Sequence, residues 1–284
     1  MASKLLRKTL NSDISFPKSK DDLAFLRSWY KGGLDGKEIE GGLDFKVYMS
    51  VFNTCSEFSE QALDKINLLA DHNNLIYDMQ EEYQPSYPPM SPVTNTFFSA
   101  WFNLDIPIYD KNLSLGMLFN EYITKKGIMK YAIQPMDDLL DSYCSFYEVT
   151  GVGENKLYLW DIPHKEEFSC ECKSGYNGTV GEVWYVRLLP PLSEGGNWVT
   201  FNTPYVFRAT GRKQWEEFFQ RLRASVDEDE IWMYLKYGKY FQYWLEFVFQ
   251  IYSNHTGNAI FSEGVPDIVE SRPQGRLERG VLSS

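Results

Sequence analysis

Phe146-Tyr-Glu-Val149, Lys156-Leu-Tyr-Leu-Trp-Asp161, Phe168-Ser-Cys-Glu-Cys-Lys173, Val183-Trp-Tyr-Val-Arg-Leu-Leu189 and Trp198-Val-Thr-Phe-Asn-Thr203 are five short runs rich in β-branched and aromatic residues. Their reading decides the fold. Turn material separates them at Gly151–Asn155, Pro163–Lys165, Gly175–Gly181 and Pro190–Asn197. Glycine reaches positive φ without a steric penalty and proline presets φ, so such clusters reverse the chain. At about Tyr143 the apolar period changes from that of a helix to alternation. Five short strands at this spacing predict a small, mostly antiparallel, barrel-like β unit over residues 143–208.

Upstream, residues 1–142 read as helical. Leu23, Leu26, Arg27 and Tyr30 stand at helical spacing, and Gly32, Gly33, Gly36, Gly41 and Gly42 predict a loop after them. From Phe45 the stripe Cys55, Phe58, Ala62, Ile66, Leu69, His72 or Asn73, Ile76 and Met79 predicts one long amphipathic helix. The proline-rich stretch Tyr83–Pro92 ends it, because proline lacks the amide donor and restricts the residue before it. Thr96–Leu104 is dense in aromatics and predicts core. Ser114 is placed to cap a helix that buries Leu115, Leu118, Phe119, Tyr122 and Ile123 and ends at Gly127. A further helix starts near Pro135, with Met136, Leu139, Leu140 and Tyr143 as its apolar stripe.

Downstream, residues 209–255 read as an aromatic-rich helical pair. Trp215, Phe218, Phe219 and Leu222 form one stripe. Asp227 with Glu230 has the spacing of a capping box for a second helix running through Trp244 to Tyr252. Residues 256–284 turn to Gly, Pro, Ser and charge and read as a polar, loosely packed tail. The fold class is therefore α+β, in four segments that are compatible with one compact domain.

The chain has 284 residues and a formal net charge of -11. A field of that sign opposes attraction to phosphate backbones and anionic membranes, so nucleic acid and membrane are disfavoured as partners. The basic clusters are small: Lys4, Arg7 and Lys8, Arg212 with Lys213, and Arg221 with Arg223. An aromatic content of 16% supplies enough apolar area for a substantial core. Four cysteines do not make a disulfide framework, and no run reaches the roughly 18 apolar residues of a membrane span. The expected compartment is a reducing cytoplasm.

Three constellations bear on function. His164, Cys170 and Cys172 carry the ligand types that zinc favours, although His-x5-Cys-x-Cys is not a common zinc spacing. Asp137, Asp138 and Asp141 share a helix and are the acidic set for a divalent cation, with a solvated helix face as the favoured reading. Tyr158, Trp160, Trp184 and Tyr185 are the candidate stacking or interface residues of the β unit. His72 reads as a packed or boundary residue of a helix, and His255 follows the last helix, where a cation is favourable. The Gly-x-Ser-x-Gly elbow, the phosphate-cradling Gly-x4-Gly-Lys loop and His-Glu-x-x-His are all absent.

Phe97-Phe-Ser-Ala-Trp-Phe-Asn-Leu-Asp105, the helix from Ser114 to Gly127, Ser145-Phe-Tyr-Glu-Val149 and Val183-Trp-Tyr-Val-Arg-Leu-Leu-Pro190 together resemble an uncharacterised bacterial family. The resemblance spans about residues 95–207. Some members of that family carry a zinc-binding SEC-C tail, named for the C-terminus of the SecA translocation ATPase. That tail is absent from the C-terminus here. Cys170-Glu-Cys-Lys-Ser-Gly175 matches its first half, but it sits among strands with no second half after it and is read as coincidence. The family implies no activity and no catalytic residues.

The sequence thus leads to a non-enzymatic protein-binding or adaptor module of the cytoplasm with an unknown protein partner. A metal-dependent hydrolase or nuclease, and single-stranded nucleic-acid binding through the β unit, are the alternatives. No cofactor is expected, with zinc or another divalent metal as the alternative.

Overall fold

The five runs between Phe146 and Thr203 close into a ring. The structure, a computed structural model, describes residues 4–16, 20–34, 43–83, 92–107, 113–154, 156–238, 244 and 251–265. The runs form β1 (Cys144–Val152), β2 (Leu157–Asp161), β3 (Glu166–Glu171), β4 (Val183–Leu189) and β5 (Trp198–Thr200). β1–β2, β2–β3 and β5–β4 pair antiparallel, β3–β5 pairs parallel, and β1–β4 closes the barrel antiparallel. This is the connectivity of the five-stranded Greek-key barrels called OB-folds. β1 serves two neighbours by bending at an irregularity between Val149 and Gly151, which is what a β-bulge does. A Cβ at Gly151 would lie 2.9 Å from Cδ2 of Tyr158. The bare backbone there leaves room for the tyrosine ring.

The barrel interior is filled by Val149, Leu157, Leu159, Cys170, Trp184, Val186 and Leu188. Outside it, three further strands continue the sheet from β4: β6 (Tyr205–Phe207), then β8 (Ile260–Ser262), then β7 (Tyr252–His255). The sequence missed all three. Residues 252–262, divided above between a helical pair and a polar tail, are instead a hairpin, and Ala259 and Ile260 are fully buried. The reason is tertiary: Ile260 pairs in parallel with Tyr205, a partner no local pattern announces.

Among the described residues the α-helices are α1 (Lys4–Leu10), α2 (Lys20–Leu34), α3 (Leu43–Lys65), α4 (Leu69–Tyr83), α5 (Pro92–Ala100), α6 (Leu115–Lys126), α7 (Ile133–Asp141), α8 (Arg212–Ser225) and α9 (Ile231–Tyr237). With α1–α7 before the barrel strands and α8 and α9 after them, the class is α+β as predicted. Two compact units result. One is built from the described residues of Met1–Glu82 and Ala100–Asp141, the other from those of Tyr83–Ser99 and Ser142–Gly275.

In the helical unit, the long helix expected from Phe45 to Met79 is two. Asn67 takes φ 60°, its N–H donates to the Asp64 carbonyl, and the Leu68 N–H donates to the Leu63 carbonyl. That left-handed stop is one asparagine tolerates better than most residues. The apolar stripe otherwise holds: Cys55, Phe58, Ala62 and Ile66 are buried, and the Phe58 ring meets Tyr122 at 4.9 Å and Phe119 at 5.3 Å. Ser114 Oγ accepts from the Met117 N–H, and Gly127 ends α6 at φ 66°. Pro135 lies in the first turn of α7. Gly32 and Gly33, expected in a loop, lie inside α2.

In the barrel unit, α8 buries Trp215, Phe218, Phe219 and Leu222, the stripe the sequence predicted. These rings lie on the outer face of β1, with Trp215 4.2 Å and Phe219 5.3 Å from Phe146. Asp227 makes no side-chain cap bond. It precedes a tight three-residue turn, Glu228–Glu230, and this turn replaces the predicted capping box. Four expectations fall wholly or partly outside the described residues: the loop at Gly36, Gly41 and Gly42, the proline-rich stretch over 84–91, the last helix over 239–243 and 245–250, and the tail over 266–284.

Candidate functional site

The residues proposed for zinc are not brought together. His164 sits in the β2–β3 turn, where its Nδ1 lies 3.2 Å from Asp161 Oδ2 and its backbone N–H donates to Asp161 Oδ1. Cys170 is at the far end of β3, roughly 13 Å of strand from Glu166, the first residue after the turn. The Cys170 side chain is wholly inside the barrel, and burial pushes its thiol well above the usual range, with Cys172 and Glu171 adding to the effect. Cys172 Sγ is 3.3 Å from Ser174 Oγ instead. Among the described residues no three His, Cys, Asp or Glu side chains are placed to share a metal ion.

Asp161 also receives Ser145 Oγ, at 3.2 and 3.3 Å from its two carboxylate oxygens. The serine therefore points at the aspartate and not at the imidazole, so no nucleophile–base array forms. Arg223 Nη1 donates to the carbonyls of Ile162 and Pro163, both at 3.0 Å, and clasps the same turn. This network holds a turn in shape.

The acidic set on α7 is likewise occupied. Asp137 accepts from Asn120 Nδ2 at 2.6 Å, and Asp138 accepts from Tyr48 Oη and Gln134 Nε2, both at 2.9 Å. Desolvation raises the Asp138 carboxyl above its ordinary value while the two donors lower it. Desolvation and that carboxylate push the Tyr48 phenol far up. Asp137 and Asp138 thus tie α7 to α6 and α3, and Asp141 remains exposed.

The four stacking candidates divide two and two. Trp184 is fully buried in the barrel, and its indole N–H donates to Glu182 Oε2 at 3.3 Å. Tyr185, on the opposite face of β4, is buried beneath Phe146 and Phe97, at 4.8 and 5.9 Å. Neither presents a face to a ligand, which corrects that part of the expectation. On β2 the alternation runs the other way. Leu157, Leu159 and Asp161 point in, while Tyr158 is exposed and Trp160 half-buried on the outer face.

Around that pair the register builds a surface. Trp160 stands opposite Glu167 on β3 and opposite Glu148 on β1; Tyr158 stands opposite Ser169 and Gly151. Directly opposed residues bring their Cβ atoms to about 5 Å. Glu148 Oε2 is held by Arg212 Nε at 2.7 Å. Glu167 is exposed and has no ion-pair or hydrogen-bond partner among the described residues, nor do the Tyr158 hydroxyl and the Trp160 indole N–H. Lys156 Nζ lies 5.1 Å from the centroid of the Tyr158 ring. Glu167, Lys156 and Glu148 were not singled out in the sequence. The four-residue turn Ile162–Lys165 fixes the hairpin register, and counting outward from it pairs Trp160 with Glu167.

The chain matches no family model, no curated protein and no solved structure. In OB-type barrels the face of the second and third strands, with the adjoining loops, binds oligonucleotides and oligosaccharides. That analogy gives a location and not a ligand, since one fold hosts many functions. Among the described residues no helix is long and apolar enough to cross a membrane.

Proposed function

We propose that this chain is a non-enzymatic protein-binding module, and that its working surface is the outer β2–β3 face of the barrel. The observation that carries this reading is the grouping of Tyr158, Trp160 and Glu167 on one face with their polar ends unengaged among the described residues. Tyrosine and tryptophan open to solvent are the side chains that protein interfaces enrich. The surrounding charge supports a protein over a nucleic acid. Glu166 and Glu167 open β3 and are both exposed, Glu171 follows on the same strand, and the whole chain carries -11. A phosphate backbone laid on this face would meet like charge.

A peptide-display selection against the full chain tests the proposal. Sequences enriched on the natural protein are expected to be lost on a Tyr158→Ala/Trp160→Ala double variant that retains its circular dichroism spectrum. Enrichment that survives the double substitution would place binding elsewhere and overturn the assignment.

A further inference from the structure

Resting on that reading, we infer that the β2–β3 face recognises an arginine side chain of an extended polypeptide, with the guanidinium laid on the Trp160 indole and paired to the Glu167 carboxylate. The case begins with symmetry. Trp160 lies in register between two glutamates, Glu148 on β1 and Glu167 on β3. On one flank the chain has already supplied an arginine: Arg212 reaches from α8 to place Nε 2.7 Å from Glu148 Oε2, with Nη2 3.0 Å from Glu216 Oε1. On the other flank Glu167 is exposed and has no partner among the described residues. The indole N–H beside it is unengaged as well, so nothing in the described chain competes for the site.

A second cation shows the affinity of the face. Lys156 folds back over the Tyr158 ring, two residues along β2 from Trp160. Aromatic faces attract cations through their quadrupole, tryptophan most strongly, and a neighbouring carboxylate adds Coulombic pull. Arginine satisfies both demands at once. Its planar guanidinium stacks flat on a ring while its edge donates to a carboxylate, and the more strongly hydrated lysine ammonium does this less well. The other charges of the face are already spent in cis, Glu171 on Lys173 and Glu148 on Arg212. Glu167 therefore sets where an incoming cation docks. The extended form of the partner follows from the two-stranded surface, which offers a row of neighbouring side chains along β2 and β3.

The test uses the full chain and three probes: a capped decapeptide of alternating glycine and arginine, its glycine–lysine counterpart, and a single-stranded thymidine oligonucleotide. The arginine peptide is expected to bind several-fold more tightly than the lysine peptide. Glu167→Gln should weaken it about tenfold, and Trp160→Ala at least as much. Glu121→Gln, which removes the same charge from α6, should stay within about twofold, as a general field effect requires. Equal losses from Glu167→Gln and Glu121→Gln, or equal affinity for the lysine peptide, would overturn the inference. If peptides recovered by display depend on Trp160 but are indifferent to Glu167→Gln, the binding face stands and the arginine assignment falls. If the oligonucleotide binds in a Trp160-dependent manner, both fall together.

Discussion

β2 and β4 belong to one barrel, carry tryptophan–tyrosine content of the same kind, and use it in opposite ways. Every residue of β4 from Val183 to Leu189 is buried, because the barrel interior covers one side and the rings around Phe146 cover the other. β2 alternates buried with open, leaving Tyr158 exposed and Trp160 half-buried on its outer side. The two tryptophans state the difference in single atoms. The Trp184 N–H is spent on Glu182, while that of Trp160 has no partner among the described residues. An aromatic residue on a strand is thus buried or open to solvent according to what covers its face, and its own chemistry does not decide which.

That contrast is open to measurement. Trp184→Ala, which empties the middle of the barrel, should cost about 3–5 kcal/mol of unfolding free energy in denaturant titration. A loss under about 1 kcal/mol would mean the ring is not core. The histidines extend the comparison of covered with open rings. His72 is buried, with its ring 5.2 Å from Phe102, whereas His164 is half-buried at its turn. Burial pushes the His72 imidazole down to about 4 from an ordinary 6.5, with the charge of Glu60 opposing the shift. Between those values the unfolded chain binds a proton that the folded chain refuses. The His72 contribution is therefore intact above about pH 6.5 and shrinks by up to about 3 kcal/mol as the pH falls to 4. His72→Leu should flatten the stability profile over that window, and parallel profiles for the two proteins would contradict it. Smallest of all, Trp160→Ala should change stability by less than about 1 kcal/mol, because the ring is not core. A larger loss would make Trp160 a packing residue like Trp184 and erase the distinction.

Local chemistry made much of the fold legible. The Ser114 cap, the Gly127 stop, the α8 stripe and the β4 run needed only their own neighbours, and the structure has each where the sequence put it. Failures came where the deciding partner was remote or subtle. Asn67 breaks a helix whose apolar stripe runs straight through it. β6 and β8 are strands of three residues that exist because distant segments pair with them, and β7 is the hairpin partner of β8. The candidate site was half legible for the same reason. Alternation placed Tyr158 and Trp160 on one face of β2, but it cannot say which face meets water. The uninterrupted apolar run of β4 was the available sign that both of its faces are covered. Glu167 went unnoticed because a charged residue on a strand reads as solvated surface until register sets it beside a tryptophan.

The path of the chain through the barrel unit has a consequence for heredity. Residues 92–99 are read out before much of the helical unit, yet they belong to the unit that holds the strands. Phe97 stacks on Tyr185 at 5.9 Å and meets Tyr205 edge-on at 4.7 Å, and Asn202 Nδ2 donates to the Thr96 carbonyl at 3.0 Å. A piece cut to begin at Ser142 would contain all eight strands of the described residues and still lack Phe97, which packs on Tyr185 and Tyr205. A block moved to another protein from Ser142 onward would leave this ring behind.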